Sequence, residues 1–266
     1  MRICYNEDGK LKAMVIESDT TLNLRKMKLT DISEMTNMQS GVSRLLLQLN
    51  NLKNVPDFTD IPYLEELDLS YNDLEEVPDF SGLKYLKTLN LSNCKLKSIP
   101  DFSNLPCLKH LLLRNNKLKK VPDFSNLACL NSLDLYGNEL KEVPDFSNLP
   151  CLDILDLSYN ELLEVPDFSR MYYLKTLNLT GCKLKSISDF SELPHLKTLI
   201  LIHNELKEVP DFSNLACLEK LDLAYNELKR VPDFKHIEYL KHLDISDNIL
   251  RKAPEFNNLP YAEIIE

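Results

Sequence analysis

Val-Pro-Asp-Phe, or a close variant of it, returns along this chain at a fixed interval, and that interval limits the fold more than any other feature. Its proline stands at Pro56, Pro78, Pro100, Pro122, Pro144, Pro166, Pro210, Pro232 and Pro254, with Ser188 in the remaining slot, so each step is 22 residues. The phenylalanine two places later, from Phe58 to Phe256, accounts for all 10 Phe of the chain. The other prolines, among 14 in all, fall in a second column at Pro62, Pro106, Pro150, Pro194 and Pro260. A longer period lies on top: YLKTLNLSNCKLKSI from Tyr85 returns as YLKTLNLTGCKLKSI from Tyr173, 88 residues on, which points to a four-turn block duplicated whole. Such an array grows in one dimension, so its 266 residues say little about domain count.

Within one turn, Leu67 and Leu69 alternate with polar residues, the period of a short strand with one buried face. Leu64, Leu74, Val77 and Phe80 supply more apolar groups than a single turn can shield, so turns must stack to bury them. Pro78 has no backbone donor and pushes Val77 away from helix. Regular helix on the outer side is therefore not expected, and Asp-Phe-Ser-Asn-Leu is predicted to make a short 3₁₀ turn capped by its Asp.

The string from Leu64 through Asn72 to Phe80 resembles the leucine-rich-repeat signature LxxLxLxxNxLxx in its 22-residue class, and the likeness runs from about residue 42 to 256. It implies an α/β-type solenoid, a horseshoe with a parallel concave β-sheet, short 3₁₀ or extended outer turns and little α-helix. It also implies that Asn50, Asn72, Asn116, Asn138, Asn160, Asn204, Asn226 and Asn248 are buried and bonded to backbone groups of neighbouring turns. Cys94 and Cys182, in the same column, are then structural substitutes. The expected organisation is an N-terminal cap with a degenerate first repeat over 1–41, about ten repeats over 42–259, and an incomplete strand over 260–266. The cap is read as two short strands around Asn6-Glu-Asp-Gly9.

Functional residues must then lie on surface columns. Between the two strand leucines stand Asp68, Asn90, Leu112, Asp134, Asp156, Asn178, Ile200, Asp222 and Asp244, which alternation turns to the concave face. Beside them stand Tyr71, Tyr136, Tyr159 and Tyr225, and tyrosine offers large contact area at low entropic cost. Arg44, His110, Arg114, His203, Lys220 and His242 interrupt the acidic pattern. Asp68, Tyr71, Arg114, Asp134, Tyr136, Asp156, Tyr159, Asp222, Tyr225 and Asp244 make the predicted partner-binding face.

Chemistry is not expected elsewhere. One Asp per turn after each proline, from Asp57 to Glu255, supplies too few oxygens for calcium and reads as turn capping. Cys107, Cys129, Cys151 and Cys217 share a column with Tyr63, Tyr85, Tyr173, Tyr239 and His195 that suits half-buried packing, and a flat row does not converge on a metal. With 5 Gly and no phosphate loop, catalytic triad or His-Glu-x-x-His string, the chain is expected to be no enzyme and to need no cofactor. A net charge of −10 argues against nucleic acid and anionic membranes and favours a protein with a basic segment. Absence of an apolar leader and an odd count of 7 Cys suggest a reducing compartment, cytoplasm or nucleus. The resemblance further implies two alternatives to a general scaffold: a regulatory subunit of type-1 protein phosphatase, and a fragment of an adhesion or immune-recognition protein such as the internalins.

Overall fold

The computed structural model describes residues 2–5, 11–15, 20–32, 41–162, 164–165, 168, 170–188, 190–232, 234, 236–252, 256, 259 and 262–265. The tight turn expected over Asn6–Gly9, most of the degenerate turn after Ile32, and Glu255 lie outside them. The chain forms two compact units, Met1–Leu133 and Asp134–Glu266. In the first, β1 (Arg2–Tyr5) and β2 (Leu11–Val15) pair antiparallel. There follows a parallel ladder of β3 (Thr21–Asn23), β4 (Arg44–Leu46), β5 (Glu66–Asp68), β6 (Thr88–Asn90) and β7 (His110–Leu112), each bonded to the next in sequence order. After β8 (Ser132–Asp134) the second unit continues alike with β9 (Ile154–Asp156), β10 (Thr176–Asn178), β11 (Thr198–Ile200), β12 (Lys220–Asp222), β13 (His242–Asp244) and β14 (Glu263–Ile265). Among the described residues there is no α-helix, and none long and apolar enough to cross a membrane. The fold is a leucine-rich-repeat solenoid.

In the parallel ladder the registers match leucine to leucine, as in Leu67↔Leu89 and Leu177↔Leu199, until the last pair sets Leu243 against Ile264. Leu64, Leu67, Leu69, Leu74 and Phe80 are wholly buried, and Leu83 joins them, while Val77 is only half-buried. At roughly 1.5–3 kcal/mol per large side chain, these columns are the main favourable contribution to folding.

The asparagine column has the bonds that the resemblance implies. Asn72 Nδ2 donates to Leu69 O (2.8 Å) and, one turn back, to Leu47 O (3.1 Å), and its Oδ1 accepts from Leu52 N (3.0 Å). Cys94 and Cys182 keep one of these links: their Sγ atoms donate to Leu69 O (3.2 Å) and Leu157 O (3.3 Å). Burial pushes both thiols up to about 12. These turns also bend differently. Lys95 (φ 64°) and Lys183 (φ 59°), just after the cysteines, are left-handed, as is Lys28 (φ 55°) after Met27. The next asparagine's Oδ1 then accepts two N–H groups, from Cys94 and Leu96 at Asn116 and from Cys182 and Leu184 at Asn204.

On the outer side the 3₁₀-type bonds occur as single turns joined end to end. Phe80 O accepts from Leu83 N (2.9 Å), and Leu83 O accepts from Leu86 N (3.1 Å). The two bonds lie three residues apart, so no continuous 3₁₀ segment forms. The preceding Asp acts as the predicted cap: Asp57, Asp79, Asp101, Asp123, Asp145 and Asp211 each accept, through Oδ1, the N–H two residues on, at 2.7–3.1 Å.

Two columns made mostly of non-glycine residues are left-handed. One is phenylalanine: Phe58, Phe80, Phe102, Phe124, Phe190, Phe212 and Phe234 have φ between 48° and 57°. An L-residue there costs about 1–2 kcal/mol. Burial of the ring and stacking on the next one, 6.1 Å for Phe58–Phe80 and 6.3 Å for Phe80–Phe102, offset this, since such contacts add about 0.5–1.5 kcal/mol to the burial term. The other column immediately precedes the asparagines: Leu49, Tyr71, Asn93, Asn115, Gly137, Tyr159, Gly181, His203, Tyr225 and Asp247, with φ from 51° to 65°. Here the strand ends. Tyr71 N still donates to Ser92 O of the next turn (2.9 Å) while the chain reverses to carry Asn72 inside.

Three outcomes are expected. In urea denaturation Phe102→Ala should lose ~3–5 kcal/mol, and Phe102→Gly should lose about 1 kcal/mol less, because glycine relieves the left-handed strain that alanine keeps. Equal losses would mean that the position is unstrained. Tyr71→Asn, at an exposed left-handed position, should stabilise the free protein by about 1 kcal/mol; a destabilised variant would refute this account of the column. Under native conditions at mildly alkaline pH, Cys129 and Cys151 should react with iodoacetamide within minutes, whereas Cys94 and Cys182 should be labelled only after denaturation. Peptide mapping of the labelled protein decides between the two patterns.

Candidate functional site: the solvent face of the strands

Each strand from β3 to β13 is three residues long, so its middle leucine points inward and its first and third residues turn to the opposite face. Asp68, Asp134, Asp156, Asp222 and Asp244 are third residues. Arg114 and Tyr136 lie two residues beyond their strands, and Tyr71, Tyr159 and Tyr225 occupy the left-handed column. Tyr71 (54%), Tyr159 (48%) and Tyr225 (49%) are well exposed, as is Arg114, whereas Asp68, Asp134, Tyr136, Asp156 and Asp244 are half-buried. Leu112, Ile200 and Ile202 are half-buried as well.

The acidic column has a local structural task. Asp68 Oδ1 accepts from the N–H (2.9 Å) and hydroxyl (2.7 Å) of Ser70, and Asp244 Oδ1 does so from Ser246 (3.0 and 2.6 Å). Asp156 bonds Ser158 in the same manner, and its Oδ2 accepts from Asn178 Nδ2 (3.3 Å). These carboxylates terminate their strands by drawing the serine two residues on back to one oxygen.

Asp222 departs from the prediction. It is 5% exposed and offers almost no surface to a partner. Ala224 follows it where Ser70, Ser158 and Ser246 follow Asp68, Asp156 and Asp244, so the hydroxyl donor is missing and the one hydrogen bond comes from Ala224 N, at 3.4 Å. Burial raises the Asp222 carboxyl above the usual range; the Ala224 N–H lowers it by less, and the charge of Asp244 adds a still smaller rise.

In the second unit the aromatic residues meet. Tyr136 lies one residue before the left-handed slot, which Gly137 fills, yet its ring reaches Tyr159 (centroids 5.1 Å, 59° tilt). Tyr159 also leans over Gly181, where an added Cβ would stand 3.1 Å from the ring. His203 stacks on Tyr225 at 4.4 Å, and a hydrogen bond to Asp247 raises the Tyr225 hydroxyl. In the first unit Asp68 and Tyr71 belong to one turn, with Arg114 two turns on. Cross-turn ion pairs such as Arg44–Glu66 (2.6 Å) and Lys197–Glu219 (3.0 Å) neutralise part of the surface charge, and exposed pairs of this kind contribute little stability.

One expectation needs correction in part. In the column expected to be half-buried, Cys107 and Cys217 are so, but Tyr63, Tyr85, Tyr173 and Tyr239 are 52–64% exposed, and Cys129 and Cys151 are exposed beside them. Each is the third residue of the turn closed by Ile61 O–Leu64 N or its equivalents, where the flanking apolar residues hold the core and the middle ones point out. Tyr63 stacks on Tyr85 (5.6 Å) and Tyr173 on His195 (6.5 Å), giving each unit a second aromatic strip at the start of its strands. The sequence signal was there, a tyrosine between a proline or equivalent and a core leucine.

The leucine-rich-repeat family profile matches residues 62–118 and 195–250. No curated protein matches the chain in a sequence comparison. Among solved structures, the functional domain of InlJ from Listeria monocytogenes matches with a TM-score of 0.76 at 23% identity, over 92% of this chain and 53% of that one. The ectodomain of the plant receptor kinase GASSHO1/SCHENGEN3 from Arabidopsis thaliana, in complex with Casparian strip integrity factor 2, matches with a TM-score of 0.72 at 27% identity, over 94% and 32%. YopM from Yersinia enterocolitica matches at 0.64 and 25% identity, over 85% and 51%. This chain thus spans a third to about half of each of these proteins. With its leucine registers, its asparagine ladder and its constant turn length, the chain is built of leucine-rich repeats of the 22-residue kind.

Proposed function

We propose that this protein is a non-catalytic scaffold that binds another protein on the solvent face of its strands. The observation that carries the reading is the left-handed column. Gly, Asn or Asp fills it cheaply in five turns, yet Tyr71, Tyr159, His203 and Tyr225 hold large exposed rings there at φ 53–56°. Strain of about 1–3 kcal/mol kept at an exposed position, with no burial to offset it, marks a site selected for something other than stability. Rigid tyrosines beside carboxylates suit a protein partner. A receptor ectodomain of this fold has been crystallised in complex with its factor, which supports the class of ligand. With a net charge of −10, a basic segment is the complementary partner chemistry. The free thiols of the described cysteines suit a reducing compartment. Type-1 phosphatase regulation, the narrower implication of the family resemblance, draws no support from the structural matches. The fold of a receptor or internalin-like domain, of which this chain spans part, keeps an adhesion or recognition fragment as the second reading.

The test is a quantitative pull-down with wild-type protein and a Tyr71→Asn, Tyr159→Asn, Tyr225→Asn triple variant as baits, both confirmed folded by circular dichroism. A protein retained by the first and lost by the second, and released by raised salt, is expected. Identical captures by both baits would reject this face as the receptor.

A further inference from the structure

Asp222, His242 and Asp244 stand together on the solvent face of β12 and β13. Asp222 and Asp244 are register partners, and His242 precedes Asp244 by two residues, so all three side chains leave the same side of the sheet. One ligand atom from each lies within 4.8 Å of the other two. Around an ion with bonds near 2.0–2.2 Å, tetrahedral ligand atoms are roughly 3.0–3.5 Å apart, a contraction within reach of side-chain rotation.

An independent observation separates this group from an ordinary acidic patch. Asp222 is a carboxylate with 5% exposure that is held only by long contacts. Its Oδ1 takes one long bond, 3.4 Å from Ala224 N, and among the described residues its Oδ2 accepts no hydrogen bond, with the Lys220 ammonium at 3.8 Å. Buried carboxylates are normally paired or bound to metal. Asp244, by contrast, has its Oδ1 fully engaged by Ser246, which fixes the carboxylate and leaves Oδ2 for the cluster. His242 Nδ1 faces the Glu263 carboxylate at 3.5 Å, the arrangement that sets the tautomer and orientation of a metal-binding imidazole. The same strand column elsewhere lacks this set: Asp134 and Asp156 have Ser132 and Ile154, not an imidazole, at the first strand position.

We propose that Asp222, His242 and Asp244 bind a divalent first-row transition ion, with zinc the first choice. One imidazole nitrogen with two carboxylate oxygens suits such an ion better than calcium or magnesium, which take oxygen alone. Three protein ligands on an open sheet face leave a coordination position for water or a partner's side chain. Lys220 is the competing cation; its side chain is 41% exposed and is free to swing into solvent when the ion enters.

The experiment is a calorimetric titration of the full chain with zinc chloride, after its exposed thiols have been alkylated so that Cys129 and Cys151 bind none. Cobalt(II) absorption serves as a second readout, since an N/O site gives visible bands without thiolate charge transfer. Wild type should take up one ion. His242→Ala and Asp244→Asn should each weaken binding about a hundredfold or more, with circular dichroism unchanged, and Glu263→Gln should weaken it about tenfold. Lys220→Met should tighten it about fivefold, a gain that no loss of fold can imitate. Failure of wild type to bind, binding unaltered in both His242→Ala and Asp244→Asn, or no tightening in Lys220→Met would each overturn the proposal.

Discussion

A three-residue strand cannot satisfy its own backbone. Each donates and accepts only across to the turns before and after it, and where the chain leaves the strand a set of carbonyls and N–H groups faces inward with no water to meet them. The asparagine amide answers that need: in one side chain it supplies donors to Leu69 O and Leu47 O and an acceptor to Leu52 N, as at Asn72. Buried backbone groups left unpaired would cost more than leucine burial at that point returns. The leucine columns provide the drive, but this amide sets the spacing at which they stack. Everything else in a turn is arranged so that one residue in 22 arrives at that place with that orientation.

Much of this was legible in the amino-acid sequence. A strict 22-residue interval, with leucine alternation around it, specifies strand, register and inner face together, because a shift by one residue would turn Leu67 and Leu89 outward. The capping role of Asp57 and its equivalents followed from residue type and position. Hidden were the features that depend on backbone conformation. Nothing in the letters says that Phe80 and Tyr71 are left-handed, since glycine, the usual signal, occurs in that second column only at Gly137 and Gly181. The exposure of Tyr63 and Tyr85 was missed for a related reason: the turn between Ile61 and Leu64 lifts its middle residues from the core. The burial of Asp222 had no signal in its column, and its weak bonding depended on a neighbour, Ala224, which has no hydroxyl to offer the carboxylate.

The cysteine turns show how much latitude the scaffold has. Cys94 and Cys182 provide a single weak donor where asparagine provides two, and the backbone responds by rotating Lys95 and Lys183 into the left-handed region. That rotation presents an extra N–H to the following asparagine, so the hydrogen bonds lost on one side are regained on the other. A substitution in a buried polar column is thus absorbed within two turns. The position of both cysteines 88 residues apart fits their descent from one ancestral block.

The left-handed column has a consequence for how such a protein changes over generations. Its backbone geometry is held by bonds on either side, Tyr71 N to Ser92 O and the Asn72 amide beneath, and the side chain itself takes no part in them. Leucine, tyrosine, asparagine, glycine, histidine and aspartate all occur there in a single chain on nearly the same φ. Drift at these positions therefore leaves the interior untouched, and each duplicated block delivers a fresh set of such places already pointing outward. Recognition and architecture are inherited on separate letters of the same repeat, so one can diversify while the other is copied unaltered.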